Sequence, residues 1–153
     1  MRRVLRALPL VFCAACCSPE QEPTPSPANS VNLVSLERGV QSGITTAGAR
    51  AARTESEWSS LWADHASIYL PPPALPAVDF GVHTAVFVSL GTRATGGYSL
   101  TVEVARVEGG QLVLDARETA PPEGAILTQA LTAPYEIVLV PRTTLPIEAR
   151  IAR

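Results

Sequence analysis

Three features of the sequence predict an α+β domain made mainly of antiparallel β-structure. One stretch, Thr54 to His65, has sharp helical amphipathicity; from His83 onward apolar and polar residues run in strand-length segments; and Gly109-Gly110 separates two alternating runs. Together they predict five or six strands in a sheet or small sandwich, with one amphipathic helix packed on it, over residues 31–153.

Val31 to Leu36 is the first expected strand, with an indistinct alternation that fits partial cover. A loop follows through Gly39, Gly43 and Gly48. Thr54 is placed to cap the helix, with Glu57 three residues on completing a capping box and Glu55 favoured by the helix dipole. Trp58, Leu61, Trp62 and His65 fall at i, i+3, i+4 and i+7, one stripe that docks on the sheet, while Ser59, Ser60 and Asp64 face away. Both tryptophans read as core, and Pro71-Pro72-Pro73 ends any continuation of the helix.

Ala85-Val86-Phe87-Val88-Ser89-Leu90 is a continuous apolar run of strand length, as expected of a central strand covered on both faces. Tyr98, Leu100, Val102 and Val104 alternate with Ser99, Thr101 and Glu103, so the first set is expected to face inward. Leu112, Leu114 and Ala116 alternate on the return, which makes Gly109-Gly110 the turn of a hairpin. A loop with Pro121-Pro122 and Gly124 leads to a strand at Tyr135 to Val140. Leu145, Ile147, Ala149 and Ile151 alternate in the last strand, and Pro146 places it at a sheet edge.

Ahead of this domain the chain reads as an address and a tether. Met1 to Arg6 is basic and Ala7 to Ala15 apolar, the pattern of a secretory signal too short to span a bilayer permanently. All three cysteines, Cys13, Cys16 and Cys17, lie at its end, and Cys13-Ala14-Ala15-Cys16 resembles a bacterial lipobox. The resemblance implies acylation of Cys16, which follows the small Ala15, although Cys13 stands where leucine is usual. Cleavage would leave no cysteine in the domain, so neither disulfides nor a thiol nucleophile are expected there. Residues 17–30 hold Pro19, Pro23, Pro25 and Pro27 among polar residues and cannot bury enough surface to order. At ~3.1 Å per residue such a tether spans roughly 40 Å. The expected segments are a lipoprotein signal at 1–16, a tether at 17–30 and the β-rich domain at 31–153. The expected location is the cell envelope, on the periplasmic or surface face of the outer membrane, held through the N-terminal lipid.

Composition narrows the function. Lysine is absent, and past Arg6 nine arginines face fourteen acids, a formal charge of −5. No basic cluster interleaves with aromatics, so nucleic-acid binding has no footprint. The parts for catalysis are few. Only His65 and His83 are available; Asp64 and His65 are helix neighbours whose side chains diverge; and a zinc site would need His65, His83 and Asp79 to converge without any HExxH spacing. No serine sits in a G-x-S-x-G elbow, and the glycines of Gly91–Gly97 precede a strand, not a helix, so they make no phosphate cradle. No catalytic residue, metal or small-molecule cofactor is expected.

Gly91-Thr92-Arg93-Ala94-Thr95-Gly96-Gly97-Tyr98 joins two strong strands. Its simplest reading is a β-turn, the paired glycines allowing a tight connection. A functional reading makes Arg93, Ala94, Thr95, Gly96, Gly97 and Tyr98 an exposed partner-binding loop on a rigid sheet.

The stretch G-T-R-A-T-G-G-Y-S-L-T-V resembles the G-x-R-P-T-G-G-Y-x-V-x-I signature of the PrcB-type C-terminal domain, named after a lipoprotein associated with a spirochaete protease complex. Val78-Asp79-Phe80, Thr132-Ala133-Pro134-Tyr135 and the upstream Trp-containing helix fit the same pattern, so the likeness runs from about Val78 to Ile151. Ala94 stands where the signature has proline, which loosens the turn. The resemblance implies an exported or lipid-anchored domain that associates with and stabilises a protein partner in the envelope; the scarcity of catalytic parts makes the expectation a protein that is not an enzyme. An alternative expectation is a protease inhibitor presenting Arg93–Tyr98. Thr95, Gly97 and Tyr98 match in register the N-P-T-T-G-Y loop of chagasin-like cysteine-protease inhibitors.

Overall fold

The computed structural model describes residues 29–153. The expected signal, Cys16 and nearly all of the tether lie outside the described residues. Among the described residues the elements are β1 (Ser30–Val31), β2 (Val34–Gly39), β3 (Ala47–Ala52), α1 (Glu55–Ala66), β4 (His83–Leu90), β5 (Ser99–Glu108), β6 (Gln111–Thr119), β7 (Tyr135–Pro141) and β8 (Ile147–Ala152). The strands form two four-stranded sheets, ordered β1-β5-β6-β8 and β2-β7-β4-β3. Neighbours are antiparallel except β6 and β8, which run parallel.

The second sheet is the middle of three layers. Val86, Val88, Leu90, Val138 and Val140 face the other sheet and pack on Leu100, Val102, Leu112 and Leu114. Ala85, Phe87, Tyr135 and Ile137 face the opposite way and pack under Trp58, Leu61 and Trp62 of α1. Burial on both faces explains why β4 reads as an unbroken apolar run, and each such side chain contributes about 1.5–3 kcal/mol.

The helix forms where its periodicity places it. Thr54 is extended and its Oγ1 accepts the Glu57 amide at 3.2 Å, while the Glu57 carboxylate accepts the Arg53 amide at 2.7 Å. Trp58, Leu61, Trp62 and His65 are all buried. Each indole donates to the returning Pro-rich segment, Trp58 to the Pro76 carbonyl at 2.9 Å and Trp62 to that of Pro73 at 3.1 Å.

Three expectations need correction. The first strand is two, because the chain changes sheets at Asn32-Leu33. β1 pairs with β5 and β2 with β7, so no single face could set one alternation. The loop through Gly48 contains β3, whose Ala-Gly-Ala-Arg-Ala-Ala lacks the β-branched residues that mark strands and whose order comes from pairing with β4. Finally, a bulge at Glu103 reverses the phase of β5, so Leu100 and Val102 face inward but Ala105 replaces Val104. The hairpin turn is as expected, with both Gly109 and Gly110 at positive φ. β8 lies at the sheet edge that Pro146 indicates.

Candidate functional site

The Gly91–Tyr98 corner leaves β4 at the end of the sandwich where β7 begins and β2 ends, since Ser89 and Gly39 both pair with Tyr135. Gly91 turns at φ 72° so close to β3 that a side chain would meet the Ala47 amide nitrogen at 2.9 Å. From there Arg93 makes a two-bond bridge with Thr132, donating its amide to the Thr132 carbonyl at 2.7 Å and accepting at 3.0 Å. The Thr132 hydroxyl donates to the Thr95 carbonyl at 3.0 Å, and the Gly96 amide to the Thr128 carbonyl at 2.9 Å. Gly97, at φ 90°, passes so near Pro121 that a Cβ would sit 2.8 Å from it. The long β6–β7 connection is therefore laid across the corner.

Arg93 is a strut within this arrangement. Its Nε and Nη2 donate to the two carboxylate oxygens of Glu118 at 2.8 and 3.0 Å, and Nη1 donates to the Leu90 and Thr92 carbonyls. The fork-to-fork geometry uses most of the guanidinium donors. The cation also lies 5.7 Å from the Tyr98 ring centroid. Hydrogen bonding to Arg93 holds the buried Glu118 carboxyl below the ordinary carboxylate range, and Glu118 in turn raises Arg93. Arg153 approaches the same carboxylate at 3.4 Å. Arg93, Tyr98, Glu118, Ala120 and Arg153 line an open cavity of about 510 Å³.

Of the six residues expected to form a recognition loop, Ala94 and Gly97 are exposed. Arg93, Thr95, Gly96 and Tyr98 are half-buried beneath or beside the β6–β7 connection. The corner is thus one part of a composite surface, not a free-standing tip. Sequence reasoning missed Glu118 and Thr128, and met Thr132 only as part of the family pattern, without its place at the corner. Glu118 did carry a signal, because it continues the inward set Leu112, Leu114, Ala116, where a carboxylate needs a cation.

The residues weighed for catalysis do not assemble. His83 starts β4 opposite Pro141, whereas His65 lies at the other end, 4.5 Å from Tyr135 and 5.6 Å from Phe87 between ring centroids. His65 is 1% exposed. Its Nδ1 pairs with the Ser42 hydroxyl at 2.9 Å, and its Nε2 has no hydrogen-bond partner, the nearest carboxylate oxygen being on Glu37 at 3.7 Å. Burial lowers the His65 pKa, against an opposing pull from Glu37. Tyr135 donates to the same Glu37 oxygen at 2.6 Å and is held strongly in its neutral form by burial. Ser42 is itself buried and accepts the Ile44 amide, so this cluster is a packed polar core against α1.

Comparison with curated proteins and with solved structures finds no match. A family model does match, over less than half of the chain: it takes in β4, the corner, the β5–β6 hairpin, the connection that covers the corner and β7, and stops short of Val78-Asp79-Phe80 and β8. The resemblance carried by the Gly91–Val102 signature is therefore to the family found by that comparison, PrcB C-terminal, whose model residues 84–141 match.

Proposed function

We propose that this protein is a lipid-anchored envelope domain that binds a partner protein, of the protease-complex class associated with the PrcB family, and that it acts by association and not by catalysis. The observation that carries this reading is the family match itself. Residues 84–141 contain the corner, its Glu118 strut and the connection that covers it, so the matched segment is one continuous structural unit. Loops clamped to a sheet in this way are pre-organised, which lowers the entropic cost of binding. The acylated Cys16 and the Pro-rich tether supply the attachment.

Two measurements test it. Replacing Cys16 by Ser should move the protein from the membrane to the soluble fraction of the envelope. A photoreactive amino acid at Ala94 should crosslink to one specific envelope protein in intact cells. Retention of the Cys16→Ser protein in the membrane removes the anchoring claim, and absence of any specific adduct removes the binding claim.

Ala94, exposed at the apex, also keeps the inhibitor reading in view. Assay against papain-type proteases decides it, since no inhibition at micromolar protein excludes that role.

A further inference from the structure

We infer that the whole end of the sandwich carrying the Arg93 corner is a docking surface for a protein partner that offers apolar, uncharged surface. The inference rests on the partner-binding reading above and specifies the partner's chemistry.

Strand direction brings four connections to this end. β2 finishes here opposite Tyr135, β3 begins here opposite Leu90, and β4 ends here. The β2–β3 connection (40–46), the segment after α1, the corner (91–98) and the β6–β7 connection (120–134) therefore meet. Hydrogen bonds join them in series. The Tyr69 hydroxyl donates to the Gln41 carbonyl at 2.7 Å, Gln41 donates to the Leu131 carbonyl at 3.4 Å, and Ala133 donates to the Val40 carbonyl at 2.9 Å. The Arg93–Thr132 bridge completes the series.

This end is almost bare of charge. Residues 40–46 and 67–78 carry no charged side chain, and the other two connections carry one each, Arg93 and Glu123. The ionic groups at the rim are engaged locally: Arg38 with Glu136, Arg50 with Asp64, Arg93 and Arg153 with Glu118. The same end holds the three most exposed large apolar side chains of the described residues, Ile126 (103%), Leu70 (97%) and Leu131 (69%), with Ile68, Val40 and Tyr69 among them. The opposite end, by contrast, bears the ionic cluster of Arg106, Glu108, Glu148 and Arg150 beside the β5–β6 hairpin. Grouped exposed apolar side chains mark interaction surfaces, whereas scattered ones need no explanation.

The position of the N-terminal entry selects the occupant. Ser30 pairs with Arg106, next to the hairpin turn at Gly109-Gly110, so the chain preceding Asn29 joins the domain at the charged end. The bare end is thus opposite the point of attachment. It lies away from the point where the described chain enters the domain, which leaves it open to a partner protein. Glu123 is the one charge on these connections without an ion pair among the described residues, so recognition there depends mainly on apolar burial and should respond only weakly to salt.

The test uses the full-length protein in its own envelope, with photoreactive p-benzoylphenylalanine placed singly at Leu70, at Ile126 and, as control, at Glu148. The expected result is one common protein adduct from Leu70 and Ile126 and none from Glu148. Its yield should be nearly the same at low and high salt, and should fall about tenfold or more when Leu131→Asp is added, as expected for losing one buried leucine side chain. An unchanged melting temperature shows that this exposed substitution leaves the fold intact. Adducts from Glu148 alone would overturn the inference while leaving partner binding in place. No adduct from any position would remove both. A strongly salt-sensitive adduct, or one to lipid or to a second copy of the chain, also overturns it.

Discussion

Glu136 is fully buried in β7, yet its carboxylate is completely engaged. Oε1 accepts from the Ser35 hydroxyl at 2.6 Å and from Arg38 at 2.9 Å, and Oε2 accepts the Val102 amide from the other sheet. Val102 precedes the bulge on β5 and lies beyond the end of the short β1, so its outward amide has no strand to pair with. One carboxylate thus joins β2, β7 and β5. Glu136→Leu leaves the buried Val102 amide without an acceptor, while the exposed Ser35 and Arg38 can turn to water, and should cost about 1–3 kcal/mol, with Glu136→Gln costing distinctly less. Urea denaturation measures both, and equal losses would show that the acceptors are not what matters. His65 supplies a pH effect. Its pKa in the fold lies below the ordinary 6.5, so the unfolded chain takes up its proton first. Stability is then full above pH 6.5 and declines as pH falls below that value toward the folded pKa. Of the carboxylates that the fold stabilises as anions, Glu103, Glu108 and Glu118 act only below their ordinary 4.5. His65→Phe should flatten the stability profile between these two limits, and an unaltered slope there would assign the effect elsewhere.

Elements differ in how much of their order is local. α1 has its own cap, its own acidic first turn and its own stripe, so its boundaries were legible within a residue or so. Thr54→Ala removes the acceptor for the Glu57 amide and should cost about 1 kcal/mol. Chemical denaturation is the check, and a negligible change would mean the Glu57–Arg53 bond suffices to hold the helix start. The β5–β6 hairpin is equally local, with two glycines where positive φ is needed. β3 is the opposite case. Its alanines and glycine carry no strand signal, and it exists because β4 offers a ladder of partners from Ala85 to Leu90. The candidate site divides in the same way. The G-T-R-A-T-G-G-Y motif was readable as a tight connection, whereas the cover laid over it from residues 121–132 was not, because all but the Thr132 hydroxyl bond run between backbone groups and leave no trace in residue type.

In the molecule as a whole, the sheet that contains β4 and β7 is shared by both hydrophobic cores, one against α1 and one against the other sheet. Neither outer layer keeps a core if that sheet is lost. Unfolding should therefore be a single cooperative transition. Tryptophan fluorescence reports on Trp58 and Trp62 in the helical layer, and far-ultraviolet circular dichroism on the sheets. The two curves should share one midpoint, and separated midpoints would show that the layers melt independently. At this scale too, the three most exposed large apolar side chains gather at the corner end and an ionic cluster at the hairpin end, a property of the assembled strands that no single segment displays.

By itself the sequence determined the helix and its buried face, the doubly covered central strand, the hairpin, the edge character of β8 and the family likeness of the corner. All of these are written in periodicity or in residues with special backbone needs, which act over a few positions. Only the tertiary structure decided the splitting of the first strand between two sheets, the existence of β3, the phase change at Glu103 and the pairing of Arg93 with Glu118. Each of these depends on which distant segment supplies the partner hydrogen bond or counter-charge, and that partner is chosen by the packing of the layers, not by the residues that receive it.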